Sequence, residues 1–169
     1  KVSSVTVEMG NPIFEPTQIP TTLETTQNGA IVNAPLDVDG MSYNATCVNI
    51  GNPHCVVFSS FVDKVDVEKI GPIFEKHEVF PERTNTEFVR VVGPNELKMR
   101  TWERGNGETP ACGTGACAAA IAAVLNGYCP MNEDITVNVR GGKLSVKYTE
   151  DTVYLTGGAE LLYKGEIEI

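Results

Sequence analysis

Residues 103–120 read ERGNGETPACGTGACAAA: a Glu-Arg pair, a glycine-rich loop, a cysteine, and then an almost all-alanine stretch. From Ala116 to Leu125 this stretch has no polar face. A helix that is apolar all round must be surrounded by protein. Its small side chains let neighbouring backbone come close. The pattern therefore predicts a helix from about Gly113 to Leu125, threaded through the middle of a curved sheet. Asn126-Gly127 supplies its stop.

Working outward, the flanks read as strands. Val2 to Met9, Gly29 to Leu36 and Met41 to Asn49 have strand period or β-rich runs, with Asp37-Val38-Asp39-Gly40 as a hairpin turn. His54 to Phe58 is a short apolar strand, and Val67 to Phe74 has the spacing of a short helix. Thr86 to Val92 and Leu97 to Trp102 form a strand pair around Gly93-Pro94-Asn95. Beyond the alanine helix, Ile135 to Val139, Gly142 to Tyr148, Thr152 to Thr156 and Leu161 to Ile167 complete the strands. The order gives an α+β class, a curved, mostly antiparallel mixed sheet wrapped around a central apolar helix.

The chain's 169 residues are enough for one domain with a real core. A net charge of -9 argues against nucleic acid or an anionic membrane as the main partner. No apolar run reaches the roughly 20 residues that span a bilayer, and no charged-then-apolar leader suggests export. The start at Lys1, inside a strand, reads as cut from a longer protein, although removal of a tag would look similar. The five cysteines lack even spacing or a Cys-x-x-Cys, so neither a disulfide framework nor a metal site is expected. Reduced thiols in a cytoplasm are the default.

Cys112 stands just before the alanine helix, where free amide groups and the positive dipole end favour an anion. That position is expected to lower the thiol pKa and to make the thiolate accessible. Gly113, Thr114 and Gly115 could hold a carboxylate on their amides. A small buried residue at a helix cap is the competing reading of Cys112. Cys117, inside the helix, reads as core. The glycines match neither a phosphate loop nor a dinucleotide fingerprint. Elsewhere, Asn52 and His54 flank a proline turn, Asn85 lies in a loop, and Glu103 and Arg104 close a strand. Each has an ordinary structural explanation when taken alone.

Together these stretches closely resemble the diaminopimelate epimerase family. ERGNGETPACGTGACAAA is similar to that family's second cysteine signature, and GNPHCVVF (51–58), TNTEFVRV (84–91) and GGAELLYKGEIEI (157–169) follow in family order and spacing. The family's other signature, Cys-Gly-Asn-Gly, does not occur. The resemblance thus implies a C-terminal domain over 1–169, one half of a two-domain epimerase. The segment 160–169 would be a terminal strand that packs on the other, N-terminal half. That half would carry the second catalytic cysteine.

By the same resemblance, Cys112 is a catalytic thiol, and His54 and Glu103 adjust the protonation of the thiol pair. Asn52, Asn85, Glu103 and Arg104 bind substrate, while Gly113 and Thr114 hold the carboxylate at the reacting carbon. The implied reaction is cofactor-independent interconversion of LL- and meso-diaminopimelate, in lysine and peptidoglycan precursor biosynthesis, with no metal. A homodimer follows only by analogy with related enzymes. The alternatives are a racemase for another amino acid, such as histidine, or a non-catalytic amino-acid-binding module. By strand alternation, Cys55 points into the core and is no second catalytic thiol.

Overall fold

The computed structural model describes residues 2–168. Its strands are β1 (Ser4–Gly10), β2 (Ile31–Val38), β3 (Met41–Asn49), β4 (Pro53–Phe58), β5 (Asn85–Gly93), β6 (Glu96–Glu103), β7 (Gly107–Thr109), β8 (Asp134–Val139), β9 (Gly142–Tyr148) and β10 (Val153–Gly158). The helices are α1 (Val67–Glu75) and α2 (Gly113–Leu125), with a short 3-10 turn at Val62–Lys64. All strands join one sheet in the order β1-β10-β9-β8-β6-β5-β4-β3-β2, and β7 pairs with the far end of β6. Only β4–β5 and β6–β8 are parallel. Parallel neighbours need a crossover. The two crossovers carry α1 and α2 respectively.

Each helix covers its own core. Val48, Val56, Val89, Leu97, Met99 and Val137 pack with the alanines of α2, whereas Cys47, Cys55, Val57 and Phe88 pack with Phe74 of α1. Side chains alternate faces along a strand. Hence β4 is buried on both faces, and its run Pro-His-Cys-Val-Val shows no polar alternation. Helix α2 touches β3, β4, β5, β6, β8, β9 and β10, so the sheet wraps around it. Gly115 through Ala123 are all buried.

Local signals explain the element ends. Asp39 and Gly40 both have positive φ, as a two-residue hairpin between β2 and β3 requires. At the end of α2, the amides of Gly127 and Tyr128 bond to the carbonyls of Val124 and Ala123, with Gly127 left-handed. This is a Schellman stop.

Two expectations change. Strand β7 lies inside the segment read only as a glycine loop; its register with β6 is Thr109 to Thr101 and Gly107 to Glu103. The strand expected at Leu161 to Ile167, part of the 160–169 assignment, does not form: residues 159–168 have no regular structure, and Ile169 lies outside the described residues. The segment follows β10, which is already paired on both sides by β1 and β9. An apolar run without a pairing partner makes no strand.

Candidate active site

The sheet register gathers the site. In the parallel β4–β5 pair, His54 stands opposite Asn85, and in the antiparallel β5–β6 pair Glu87 stands opposite Thr101. His54 has the parity of Val56 on β4, Asn85 and Glu87 that of Val89 on β5, and Thr101 and Glu103 that of Met99 on β6. All three reference residues belong to the α2-side core. Two-residue periodicity therefore points this set at the first turn of α2.

That turn begins with Cys112, the N-cap residue, whose backbone is extended and whose Sγ accepts the amide of Gly115 at 3.3 Å. The sulfur so takes the place of the usual serine or aspartate cap. Thr114 Oγ1 lies 3.6 Å from the same sulfur. Gly113 and Thr114 carry the remaining amides of the turn, which a helix leaves without intrahelical partners.

The thiol does not behave as its helix position alone implies. Cys112 is 7% exposed, and its pKa is pushed up to about 11, not down. Burial is the main cause, followed by the charge of Glu87. The bonds from Thr114 and Gly115 pull the other way, and Glu103 adds a further upward push. Desolvation and two carboxylates outweigh the dipole. Inside the helix, Cys117 is fully buried and its thiol is pushed up to about 12 by burial and by Cys112. It is core, as its sequence position suggested.

His54 is wholly buried, with Nδ1 2.8 Å from Glu87 Oε1 and Nε2 2.9 Å from Asn52 Oδ1. A carboxylate only accepts, so Nδ1 carries a proton. Nε2 faces the Asn52 side-chain amide, which accepts from it or donates to it according to the way the amide is turned.

Asn85 is spent on backbone. Its Nδ2 donates to the Pro53 carbonyl at 2.7 Å, and its Oδ1 accepts the Arg104 amide at 2.9 Å, stitching the start of β4 to the end of β6. The Glu103 carboxylate accepts the Thr109 hydroxyl. The Arg104 guanidinium is exposed and donates to the Glu82 carbonyl at 3.0 Å. Asn52, His54, Asn85, Glu103 and Arg104 are thus bonded at this end of the sheet, while Cys112, Gly113 and Thr114 belong to the first turn of α2. Cys55 is fully buried on the α1 side, opposite Cys47.

Sequence reasoning missed Glu87, Thr101 and Glu75. Glu87 is fully buried, and its Oε1 also accepts the Thr101 hydroxyl at 3.1 Å. An acidic residue two positions from Asn85, within an apolar strand, was the available signal. Glu75 of α1 accepts the Trp102 indole N–H at 2.7 Å and the Gly105 amide at 3.2 Å, fixing the turn that presents Glu103 and Arg104. A cavity of about 480 Å³ lined by Phe58, Ser59, Arg90 and Tyr128 lies at the opposite ends of β4 and β5.

Comparison with known proteins bears on the family and the fold. The profile described as diaminopimelate epimerase matches residues 46–162. A diaminopimelate epimerase of Desulfovibrio desulfuricans is 48% identical over all of the chain and 60% of its own length. The chloroplastic enzyme of Oryza sativa subsp. japonica is 49% identical over 95% of the chain and 47% of its own length. The chain thus spans about three fifths or less of these relatives. Among solved structures, a probable proline racemase from Agrobacterium radiobacter superposes with a TM-score of 0.64 at 12% identity, over 99% of this chain and 54% of that one. A hydroxyproline epimerase from Agrobacterium vitis gives 0.61 at 14% identity, over 92% and 49%. Those two likenesses show the fold. The profile match, with relatives almost half identical along the whole sequence, shows that the chain belongs to the diaminopimelate epimerase family.

Proposed function

We propose that this chain is the C-terminal half of a diaminopimelate epimerase and supplies one of the two thiols that invert the substrate carbon. The observation that carries the reading is Cys112 capping α2, with its sulfur beside the charge of Glu103 and the amides of Gly113 and Thr114 in the same turn. Inversion takes a proton from one face of the α-carbon and returns one to the other. A thiolate acts as base while an opposing thiol acts as acid, and the roles exchange in the reverse direction. Cys112 serves one face, and a cysteine in the other half serves the second.

The developing negative charge spreads into the substrate carboxylate, where the helix-terminal amides stabilise it without reorganising. Closing the halves excludes water, which would quench the carbanion and weaken those donors. The chemistry needs no cofactor, because carboxylate and amides share the charge. His54 and Glu103 tune the thiol, while Asn52, Asn85 and Arg104 grip the distal amino-acid end. The exposed Leu161, Leu162, Tyr163 and Ile167 dock on the other half. A compartment that keeps thiols reduced, the cytoplasm in a bacterium, suits five free cysteines.

The test is deuterium incorporation at the α-carbon from heavy water, with LL-diaminopimelate and the complete enzyme. Exchange is expected to fall by about 10²–10⁴-fold in Cys112→Ser. The 169-residue chain alone is expected to be inactive and to regain turnover when mixed with the other half. Epimerisation by the pure chain would overturn the two-thiol assignment. Turnover of histidine and none of diaminopimelate would overturn the substrate.

A further inference from the structure

Glu87 does more than fill a place in β5. A carboxylate that is fully buried needs partners, and only half of this one has them. Oε1 takes the His54 Nδ1–H and the Thr101 hydroxyl, while Oε2 is buried with none. The same Oε1 lies against α2: a Cβ placed on Gly115 would stand 2.7 Å from it and 3.1 Å from Cys112 Sγ. Glycine at 115 is therefore what lets a carboxylate sit beneath the turn that Cys112 caps.

We propose that Glu87 is a positioning residue of this site: wedged between His54 and the first turn of α2, its carboxylate orients the imidazole and sets a standing negative charge against Cys112, so that the resting thiol on this half is the proton donor. The inference rests on Cys112 being an acid–base group, as in the preceding reading. Two thiols that face one carbon must be in opposite protonation states to act. A fixed carboxylate under one of them makes the pair unequal before substrate arrives. The charges that reach Cys112 are Glu87 from β5 and Glu103 from β6, both opposing the thiolate. From its own helix come the Thr114 and Gly115 hydrogen bonds, which favour the thiolate.

Peptide-resolved alkylation with iodoacetamide across the alkaline range tests this on the chain itself, since the thiolate is the reacting form. In Glu87→Gln the Cys112 midpoint is expected to fall below that of the unaltered chain, because the charge that opposes the thiolate is gone. At any pH below both midpoints, alkylation then rises about tenfold per unit of displacement. Glu87→Asp, which keeps the charge, is expected to stay near the native curve. Cys47, Cys55 and Cys117, all fully buried, report whether each variant stays folded. A folded Gln variant with an unmoved Cys112 midpoint overturns the proposal. Should that variant unfold, carbon-13 resonances of the unaltered chain decide. The Glu87 carboxyl carbon is expected to shift with the Cys112 midpoint, and a resonance indifferent to it overturns the proposal equally. Neither readout involves turnover, so an inactive complete enzyme would refute the proposed function and leave this result standing.

Discussion

The indole N–H of Trp102 donates to Glu75 Oε2 at 2.7 Å, tying the last turn of α1 to the end of β6. The other oxygen of the same buried carboxylate accepts the Gly105 amide, and the exposed Arg83 adds a longer contact at 3.4 Å. Glu75→Ala leaves two donors without partners and is expected to destabilise the chain by about 2–4 kcal/mol. Glu75→Gln, which still offers one acceptor, should lose about half as much. Urea unfolding checks both. In the complete enzyme the alanine variant is also expected to raise KM more than it lowers kcat, because the turn it loosens presents Glu103 and Arg104.

Gly71 is where α1 meets that indole. A Cβ there would stand 2.4 Å from Cδ2 of Trp102, well inside contact distance. Alanine would gain about 1 kcal/mol in helix propensity. Overpacking against a ring fixed by its own hydrogen bond opposes this with about 1–3 kcal/mol. Net of that gain, Gly71→Ala is expected to be less stable by up to about 2 kcal/mol. Trp102 is the sole tryptophan. Its emission should therefore shift in the folded variant, and an unchanged spectrum with unchanged stability refutes the packing argument.

Acid sensitivity is expected at Glu108. Its two oxygens pair with Arg100 Nε at 2.8 Å and Nη2 at 3.0 Å, and Arg140 Nη1 adds 3.1 Å, holding β7 in place. The Arg100 hydrogen bonds and charge, then Arg140, hold this carboxyl below its ordinary 4.5. At mildly acidic pH the unfolded chain thus binds this proton more readily than the folded one. The stabilisation is present above the unfolded pKa and is lost as pH falls through the folded value. Melting temperature should drop on acidification, and Glu108→Gln should start lower and flatten that drop. An equally steep profile in the variant refutes the assignment.

What the sequence revealed and concealed follows from the range of the forces involved. The strands, the Asp39-Gly40 hairpin and the alanine helix are legible because period, turn chemistry and helix stops are local. The gathering of His54, Asn85, Glu103 and Cys112 was legible only through the family resemblance, since strand register is set by partners distant in the chain. The direction of the Cys112 shift was misjudged because the dipole can be read from position, whereas burial and the Glu87 charge come from other elements. The three-residue β7 has no signal apart from its pairing with β6. Residues 161–167 open on the apolar run Leu161-Leu162-Tyr163, yet no neighbouring edge accepts them here.

Gly115→Ala sets local preference against the site. In the first turn of α2, alanine should favour the helix by about 1 kcal/mol over glycine. Its methyl would stand 2.7 Å from Glu87 Oε1 and 3.1 Å from Cys112 Sγ. The carboxylate could retreat only by releasing His54 or Thr101, both buried, and a lost buried hydrogen bond costs about 1–3 kcal/mol. The variant is therefore expected to be about 1 kcal/mol less stable despite its better helix former. Because the methyl pushes the carboxylate away from the thiol, the alkylation midpoint of Cys112 should move downward in a folded protein. Greater stability with an unmoved midpoint would mean that Glu87 does not press on this turn.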